Sequence, residues 1–402
     1  MGFEASGCDV VAAVELDPVH CAVHKFNFPL CHVFCEGISG VKADAVGEML
    51  GARELDVIVG GPPCQGFSQI GYRQLEDPRN RLVFEYCRLV QQLRPKYFVF
   101  ENVPGMTLGA HHAFVEELLN EFEAMGYCVA SPLRVLDALE YGVPQSRKRF
   151  IILGHRKDCP PLEYPAQTHN GAQGQLSLFD ALPARVVAED AIGDLETHEA
   201  FTRHDSGLQP EGLSYEGYRF ALAFEKAGKF ALCDSRTFVR RAVWGHLSSQ
   251  HSELSIERFS STPPGSTELV SRFFKLHRRL PCNTLRAGTD TARGAHTAAR
   301  PIHYELPRCI TIREGMRLHS YPDWFQLHRT VWHGFRQLGN SVAPLFAKAL
   351  GDAIVTALGI DSRQLPTRVL MPGNEDLVSC SMTEACDHFG VSNPIQARKR
   401  GG

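Results

Sequence analysis

"VIVGGPPCQGFSQI", Val57–Ile70, is the stretch that decides the fold. An apolar, β-branched run ends in two glycines and two prolines, and Cys64 follows. The run reads as a buried strand over Leu55–Gly61. Pro62 and Pro63 fix φ and lower the entropy of the loop. Gly66 admits close approach of a ligand or another chain. Taken alone, Cys64 reads as a small buried hydrophobe. At the carboxyl end of a strand in an α/β pattern, where ligands gather, the same thiol is a candidate nucleophile held in the open.

Working outward, the flanking segments alternate. Asp9–Leu16 is a short β-branched run closing on Glu15, and Pro18–Phe28 reads as a helix stopped by Pro29. Asn80–Leu93 is helical, with Leu82, Val83, Tyr86, Leu89, Val90 and Leu93 on one face. "KYFVFENV", from Lys96, is a further strand, and the amphipathic "HAFVEELLNEFEAMGY" ends at Gly126. Val135–Leu139 and Arg149–Arg156 complete the set of strands. Such alternation predicts a mostly parallel sheet with helices on both faces. After residue 157 the sequence turns to Pro, Gly, Gln and Ser, and periodicity stays weak to about residue 307. Order resumes at "RCITIREGMRLHSYPDWF" and in a helix starting at Pro344. Near the end, Ser381 and Glu384 form a capping box before a short helix that stops at Gly390. That segment reads as a frayed tail, with the first half of a helix-turn-helix as the alternative, in which Arg398–Arg400 would touch DNA.

The 402 residues favour two domains, and 44% hydrophobic with 22% charged residues is ordinary for a globular protein. No apolar run approaches the roughly 18–20 residues of a membrane span. No signal peptide is read at the N-terminus. Thirteen irregularly spaced cysteines point to reduced thiols and a cytoplasmic location. His20, Cys21 and His24, with Cys31, His32 and Cys35, lack the second CxxC pair of a zinc site, so no metal is expected. A net charge of −3 excludes a nonspecific nucleic-acid coat but not a local basic groove.

Two further strand ends carry chemistry. Glu101, in Glu101-Asn102-Val103, leaves an apolar strand and is costly to bury without a partner. It reads either as a cap or surface residue, or as a carboxyl group facing the crevice of Cys64. Gln145, Arg147 and Arg149 alternate, so on an extended segment they share one face. They read either as a charged strand edge or as fixed positive charge beside the crevice.

Pro63-Cys64-Gln65, Glu101-Asn102-Val103, Gln145-x-Arg147-x-Arg149, "TIREGMRLHSYPD" and "LGNSVAP" occur in this order. Together they resemble the C5 cytosine-specific DNA methyltransferases, over residues 1 to about 155 and about 308 to 358. The resemblance implies a Rossmann-like, S-adenosylmethionine-dependent methyltransferase sheet with a second, smaller target-recognition domain. The catalytic domain would be discontinuous, 1–156 and 308–358, around a recognition domain of 157–307, with 359–402 as an extension. Cys64 would be the nucleophile, Glu101 the group at cytosine N3, and Arg147 and Arg149 would steady base and carboxylate. Gln65, Ser68, Asn102 and Gln145 would support them, and the cytosine would flip out of the duplex. Ser68–Leu82 would close over the base. Glu15 would hold the cofactor ribose and Leu16 and Pro18 the adenine, with Ile38, Pro62, Asn340 and Val342 completing that side.

The resemblance also implies a first strand and a glycine-rich turn. The given sequence starts just past them, and Gly37-Ile38 stands where an Asp-Ile pair is expected, so the acidic contact is lost or moved to Glu36. The expectation is an upstream start or weak cofactor binding. Within the recognition segment, Ser271–Arg300 holds seven Arg or Lys against one Asp, a composition suited to DNA contacts. The implied partners are double-stranded DNA and, functionally, a cognate restriction endonuclease, with the protein a monomer. Two alternatives stay open: a catalytically silent DNA-binding homologue and a tRNA cytosine methyltransferase.

Overall fold

The computed structural model describes residues 1–63, 81–108, 111–170, 182–202, 204–209, 213, 230–232, 242–288, 300–361, 364, 368–370 and 372–393. Its strands are β1 (Ala12–Val14), β2 (His32–Phe34), β3 (Val57–Gly60), β4 (Tyr97–Asn102), β5 (Tyr127–Val129), β6 (Arg134–Asp137), β7 (Lys148–Arg156), β8 (Phe230–Leu232) and β9 (Arg368–Leu370). Its α-helices are α1 (Gly2–Ala5), α2 (Pro18–Asn27), α3 (Ala43–Leu50), α4 (Arg81–Leu93), α5 (His111–Ala124) and α6 (Ala188–Ile192). They continue with α7 (Glu253–Ser261), α8 (Ile312–Leu318), α9 (Val331–Asn340), α10 (Pro344–Ala357) and α11 (Met382–Phe389).

The central sheet runs β3-β4-β7-β5, with β6 also paired to β7. Period-two alternation gives it two buried faces. Phe98 and Phe100 of β4 pack with Val83, Tyr86 and Val90 of α4 and with Leu118 and Phe122 of α5. Tyr97 and Val99 of the same strand pack instead with Phe346, Leu350 and Ile354 of α10. Helices on both faces are thus what the sequence predicts.

The expectation of a mostly parallel sheet needs correction. β3 and β4 are parallel, but β7 runs antiparallel to β4, β5 and β6. The link between β6 and β7, residues 138–147, holds only one 3-10 turn, Ala138–Tyr141. A parallel return needs a crossover of a dozen or more residues, so the chain turns back instead.

β1 and β2 form a separate parallel pair. Among the described residues, β1 and β3 are each paired along one edge only. Val14 and Val59 are accordingly 38% and 46% exposed, unusual for strands inside an α/β sheet.

The C-terminal segment also differs from expectation. It is packed, not frayed. Leu377, Val378, Cys380 and Ala385 cover Val19, Ala22, Val23 and Phe26 of α2. The capping box at Ser381 and Glu384 is present, and Gly390 ends α11 in the left-handed region at φ 64°. Arg398–Arg400 lie outside the described residues. The weakly periodic middle segment joins the rest through buried charge. Arg317 of α8 bonds Asp194 and Asp323, and all three side chains are 5% exposed or less.

Candidate active site

Three chain segments converge on one carboxylate. Glu101 sits one residue before the end of β4, where its side chain is 19% exposed. Arg149, the second residue of β7, places Nε 2.6 Å from Glu101 Oε1. The third segment is the turn after β3. A Cβ added at Gly61 would lie 2.5 Å from Glu101 Oε2, and one at Gly60 would lie 2.7 Å from the Tyr86 ring. Any side chain at either position would collide, so these two glycines are close-approach residues. Asn102 Nδ2 donates to Pro62 O at 3.0 Å, which locks the turn to the end of β4. Pro63 is the last described residue of that turn; Cys64, Gln65 and Ser68, and Ser68–Leu82 apart from its last two residues, lie outside the described residues.

Burial pushes the Glu101 carboxyl above its ordinary value, and the Coulombic pull of Arg149 and Arg147 only partly opposes this. The group is thus biased toward holding a proton. Because Arg149 occupies Oε1, Oε2 beside Gly61 is the oxygen free to carry it.

Arg147 does something different from Arg149. It is 3% exposed, and its guanidinium is spent on main-chain carbonyls. Nη1 donates to Leu285 O at 2.8 Å, while Nη2 donates to Gly339 O at 2.8 Å and Ser341 O at 2.9 Å. It staples the 285 segment and the α9–α10 junction to β7. Gln145 is fully buried beside it; its Oε1 accepts from Leu285 N at 3.0 Å, and Nε2 lies 2.9 Å from His319 Nδ1. Asp137 accepts from Arg147 N and from Ser146 Oγ, both at 2.8 Å. Asp137 and His319 were missed in the sequence. An acidic residue ending a strand hinted at the first, and the second lies within the "TIREGMRLHSYPD" motif, which singles out no role for it.

The expected nucleoside side lies at the end of β1. Glu15 Oε1 accepts from Asp17 N at 2.9 Å, and Oε2 is 3.8 Å from His20 Nδ1. Burial pushes this carboxyl up, but His20 and the amides of Asp17 and Leu16 together hold it below its usual value, so it stays ionised. Its side chain remains 43% exposed and Leu16 is 61% exposed. An open carboxylate beside an open apolar side chain suits a ribose hydroxyl and a flat base. Ile38 is half-buried, Pro62 is buried, Asn340 is exposed and Val342 is half-buried, the last two flanking the Ser341 carbonyl held by Arg147. No hydrogen bond links Ile38 to Glu15 or Glu101 among the described residues. Among the described residues, no group of three or more His, Cys, Asp or Glu is placed to hold a metal ion.

Residues 1–356 match the family described as C-5 cytosine-specific DNA methylase. The chain belongs to that family. As a C5 cytosine methylase it is similar to the Type II methyltransferase M.XorII of Xanthomonas oryzae pv. oryzae, at 45% identity over 99% of this chain and 91% of the relative. It is 33% identical to M.FnuDI of Fusobacterium nucleatum, over 88% of this chain and 91% of that one. A crystal structure of a proposed DNA modification methyltransferase from an E. coli prophage superposes with a TM-score of 0.68 at 27% identity, covering 89% of this methylase and 95% of that chain. The methylase fold expected from the sequence is therefore shown. No described helix is long and apolar enough to cross a membrane.

Proposed function

We propose that this chain methylates C5 of a flipped cytosine in double-stranded DNA, as the modification partner of a Type II restriction endonuclease. One observation carries the reading: the Glu101–Arg149 pair, at 2.6 Å, stands against the Gly61-Pro62-Pro63 turn that leads directly into Cys64. The names of the relatives M.XorII and M.FnuDI support the restriction-modification context. Residues 1–156 and 308–358 form the catalytic domain in this proposal, and 157–307 read the DNA sequence.

The steps follow from the residue types. The Cys64 thiolate adds to C6, and the C5–C6 π electrons move toward C5 and the N3–O2 edge of the ring. Glu101 holds a proton at Oε2 and shares it with N3, which offsets that charge. Arg149 keeps Oε1 occupied and the carboxyl oriented. When bound, S-adenosylmethionine supplies an electrophilic methyl group, held through Glu15 and Leu16. C5 takes up that methyl group as its bond to the cofactor sulfur breaks, and the C5 proton then passes to water. The C6–sulfur bond then breaks, restoring the C5–C6 double bond, and Glu101 recovers its proton.

A duplex with 5-fluorocytosine at the target tests this, because fluorine cannot leave as a proton. A covalent adduct is expected with the parent protein and cofactor, and none with Cys64→Ser. Retained DNA binding without any adduct would favour the silent homologue, and an adduct on tRNA alone would favour the RNA enzyme. Isothermal titration tests the nucleoside side. Because β1 and β3 lie in separate sheets, S-adenosylmethionine is expected to bind more weakly than micromolar. Micromolar binding would refute that expectation.

A further inference from the structure

His319 caps the C-terminus of α8, fully buried, with its ring between two other chain segments. Nδ1 is 2.9 Å from Gln145 Nε2, and Nε2 is 3.2 Å from Ser341 O. The partners decide where the ring proton sits. Gln145 Oε1 accepts from Leu285 N at 3.0 Å, so reversing that amide would set two donors face to face. Gln145 Nε2 therefore points at His319 and can only donate. Nδ1 must accept, the proton is on Nε2, and Nε2 donates to the Ser341 carbonyl. Burial, with Arg147 and Arg149 nearby, holds the imidazole well below its ordinary pKa, so the neutral ring keeps both roles. The surroundings impose this placement. Ser320, next in the chain, is held at φ 66°, a costly conformation for a non-glycine residue, and its Oγ accepts from Leu345 N at 3.1 Å. The Tyr321 ring stacks on His319, with centroids 5.9 Å apart and planes 15° apart.

These bonds close a circuit. From His319 it runs through Gln145 to Leu285, whose carbonyl accepts from Arg147 Nη1 at 2.8 Å. Arg147 Nη2 donates to Ser341 O at 2.9 Å, and Ser341 O leads back to His319. Three parts of the molecule meet on this circuit. Gln145 and Arg147 lead into β7, and so to Arg149 and Glu101. Leu285 belongs to the recognition segment. Ser341 lies between Asn340 and Val342, at the junction of α9 and α10. The junction presses on the recognition segment, since a Cβ at Gly339 would collide with Ala287 N. Arg147 can only donate, and it does so to carbonyls alone. His319 accepts on one side and donates on the other, and that is what joins the Gln145 amide to the junction.

We propose that His319 is a positioning residue: by bridging Gln145 and Ser341 it holds the Asn340–Val342 junction in register with β7, and the affinity for S-adenosylmethionine depends on that register. The proposal rests on the reading of this chain as a methyltransferase that takes its cofactor against Asn340 and Val342. His319 itself touches neither cytosine nor cofactor and acts through the Ser341 carbonyl. Loss of the bridge frees the junction but leaves the Glu101–Arg149 pair in place, so cofactor binding, and not the chemical step, carries the effect.

Three variants of the full chain separate the bridge from mere packing. His319→Leu fills the space without either bond, and His319→Asn is too short to reach both partners. His319→Gln offers an acceptor and a donor on one amide. Each is compared with the parent by isothermal titration with S-adenosylmethionine, by thermal melting without it, and by methyl transfer to unmethylated genomic DNA. His319→Leu and His319→Asn are expected to bind S-adenosylmethionine about tenfold more weakly than the parent, the scale of one lost hydrogen bond. KM for the cofactor rises in step, while kcat at saturating cofactor stays within about threefold. His319→Gln is expected to restore binding to within about threefold of the parent, even where its melting temperature stays lowered. If the leucine variant does not fold, the asparagine and glutamine variants carry the same comparison. Parent-like binding by the leucine or asparagine variant would overturn the proposal, as would a glutamine variant as weak as those two. A fall in kcat with KM unchanged would place His319 on the cytosine side and also overturn it. A parent protein that binds no S-adenosylmethionine would remove the underlying methyltransferase reading, and the proposal with it.

Discussion

Arg147→Ala separates a structural arginine from a substrate-contacting one. Three carbonyls, of Leu285, Gly339 and Ser341, lose their donor in this variant. Hydrogen bonds from a charged donor are each worth about 1.5–3 kcal/mol. The gross loss is therefore several kcal/mol, set against relief from burying a guanidinium. The parent side chain also leaves Nε buried with no partner among the described residues, which lowers its net worth. Burial and the nearby Arg149 pull the group below its usual pKa, so its charge is under strain. The net destabilisation should be about 3–5 kcal/mol, the range for removing one member of a buried charged network. Arg147→Lys should recover only part of it, because a single ammonium cannot span three carbonyls in a planar fork. Urea denaturation followed by circular dichroism measures both variants. If Arg147→Ala unfolds at the parent midpoint yet fails to form the 5-fluorocytosine adduct, Arg147 acts on the base and the staple argument is wrong.

Other perturbations give separable outcomes. Glu101→Gln should lower turnover by about 10²–10⁴-fold, measured by methyl transfer to a duplex, because an amide cannot pass a proton to N3. Its stability relative to the parent should improve as pH rises. Burial raises the Glu101 pKa, so that residue's contribution is present below its unfolded value near 4.5 and is lost as pH climbs through the folded value. A stability difference flat from pH 4 to 8 would contradict this. Glu314 behaves in the opposite sense. Burial opposes its ionisation, but Arg308, at 2.7 Å, with His303 and His246 holds it far below the ordinary range. Its contribution is present above the unfolded value and is lost as pH falls. Glu314→Gln should cost about 3–5 kcal/mol at pH 7 and less at pH 3, read from denaturation at both values. Leu377→Ala should cost about 2–5 kcal/mol by opening the core over α2, and a melting temperature within a degree of the parent would argue against that packing.

The strands around Val57–Gly60 and Tyr97–Asn102 were legible because period-two burial and Gly/Pro punctuation are local signals. Glu101 and Arg149 were legible as candidates for the same reason, since each stands at a strand terminus. The reversal of β7 was not, because direction depends on connection length, which the apolar pattern does not encode. Arg147 was read with Arg149 on a shared face. Its separate task emerges only from carbonyls 138, 192 and 194 residues away. The packing of Leu377 and Val378 on α2 was invisible in the same way: a short helix with a capping box looks alike whether it is docked or free. Gly60 and Gly61 were read as strand terminators, whereas the Tyr86 ring and the Glu101 carboxylate make them steric necessities.

The cover that α11 and its preceding turn place over α2 also sets a timetable. Val19, Val23 and Phe26 are made about 350 residues ahead of Leu377 and Val378, which cover them. At about 5–20 residues per second, the apolar face of α2 stays open for roughly 20–70 s of translation. Asn27 likewise waits for Gln326, to which it bonds through both atoms of its side-chain amide across 299 positions. The segment carrying Glu15 therefore matures late, despite being made early. A nascent chain stalled before residue 370 would leave that helix as a sticky surface for chaperones, and emergence of residues 377–389, not of the first half of the sheet, would mark when the segment around Glu15 takes its final shape.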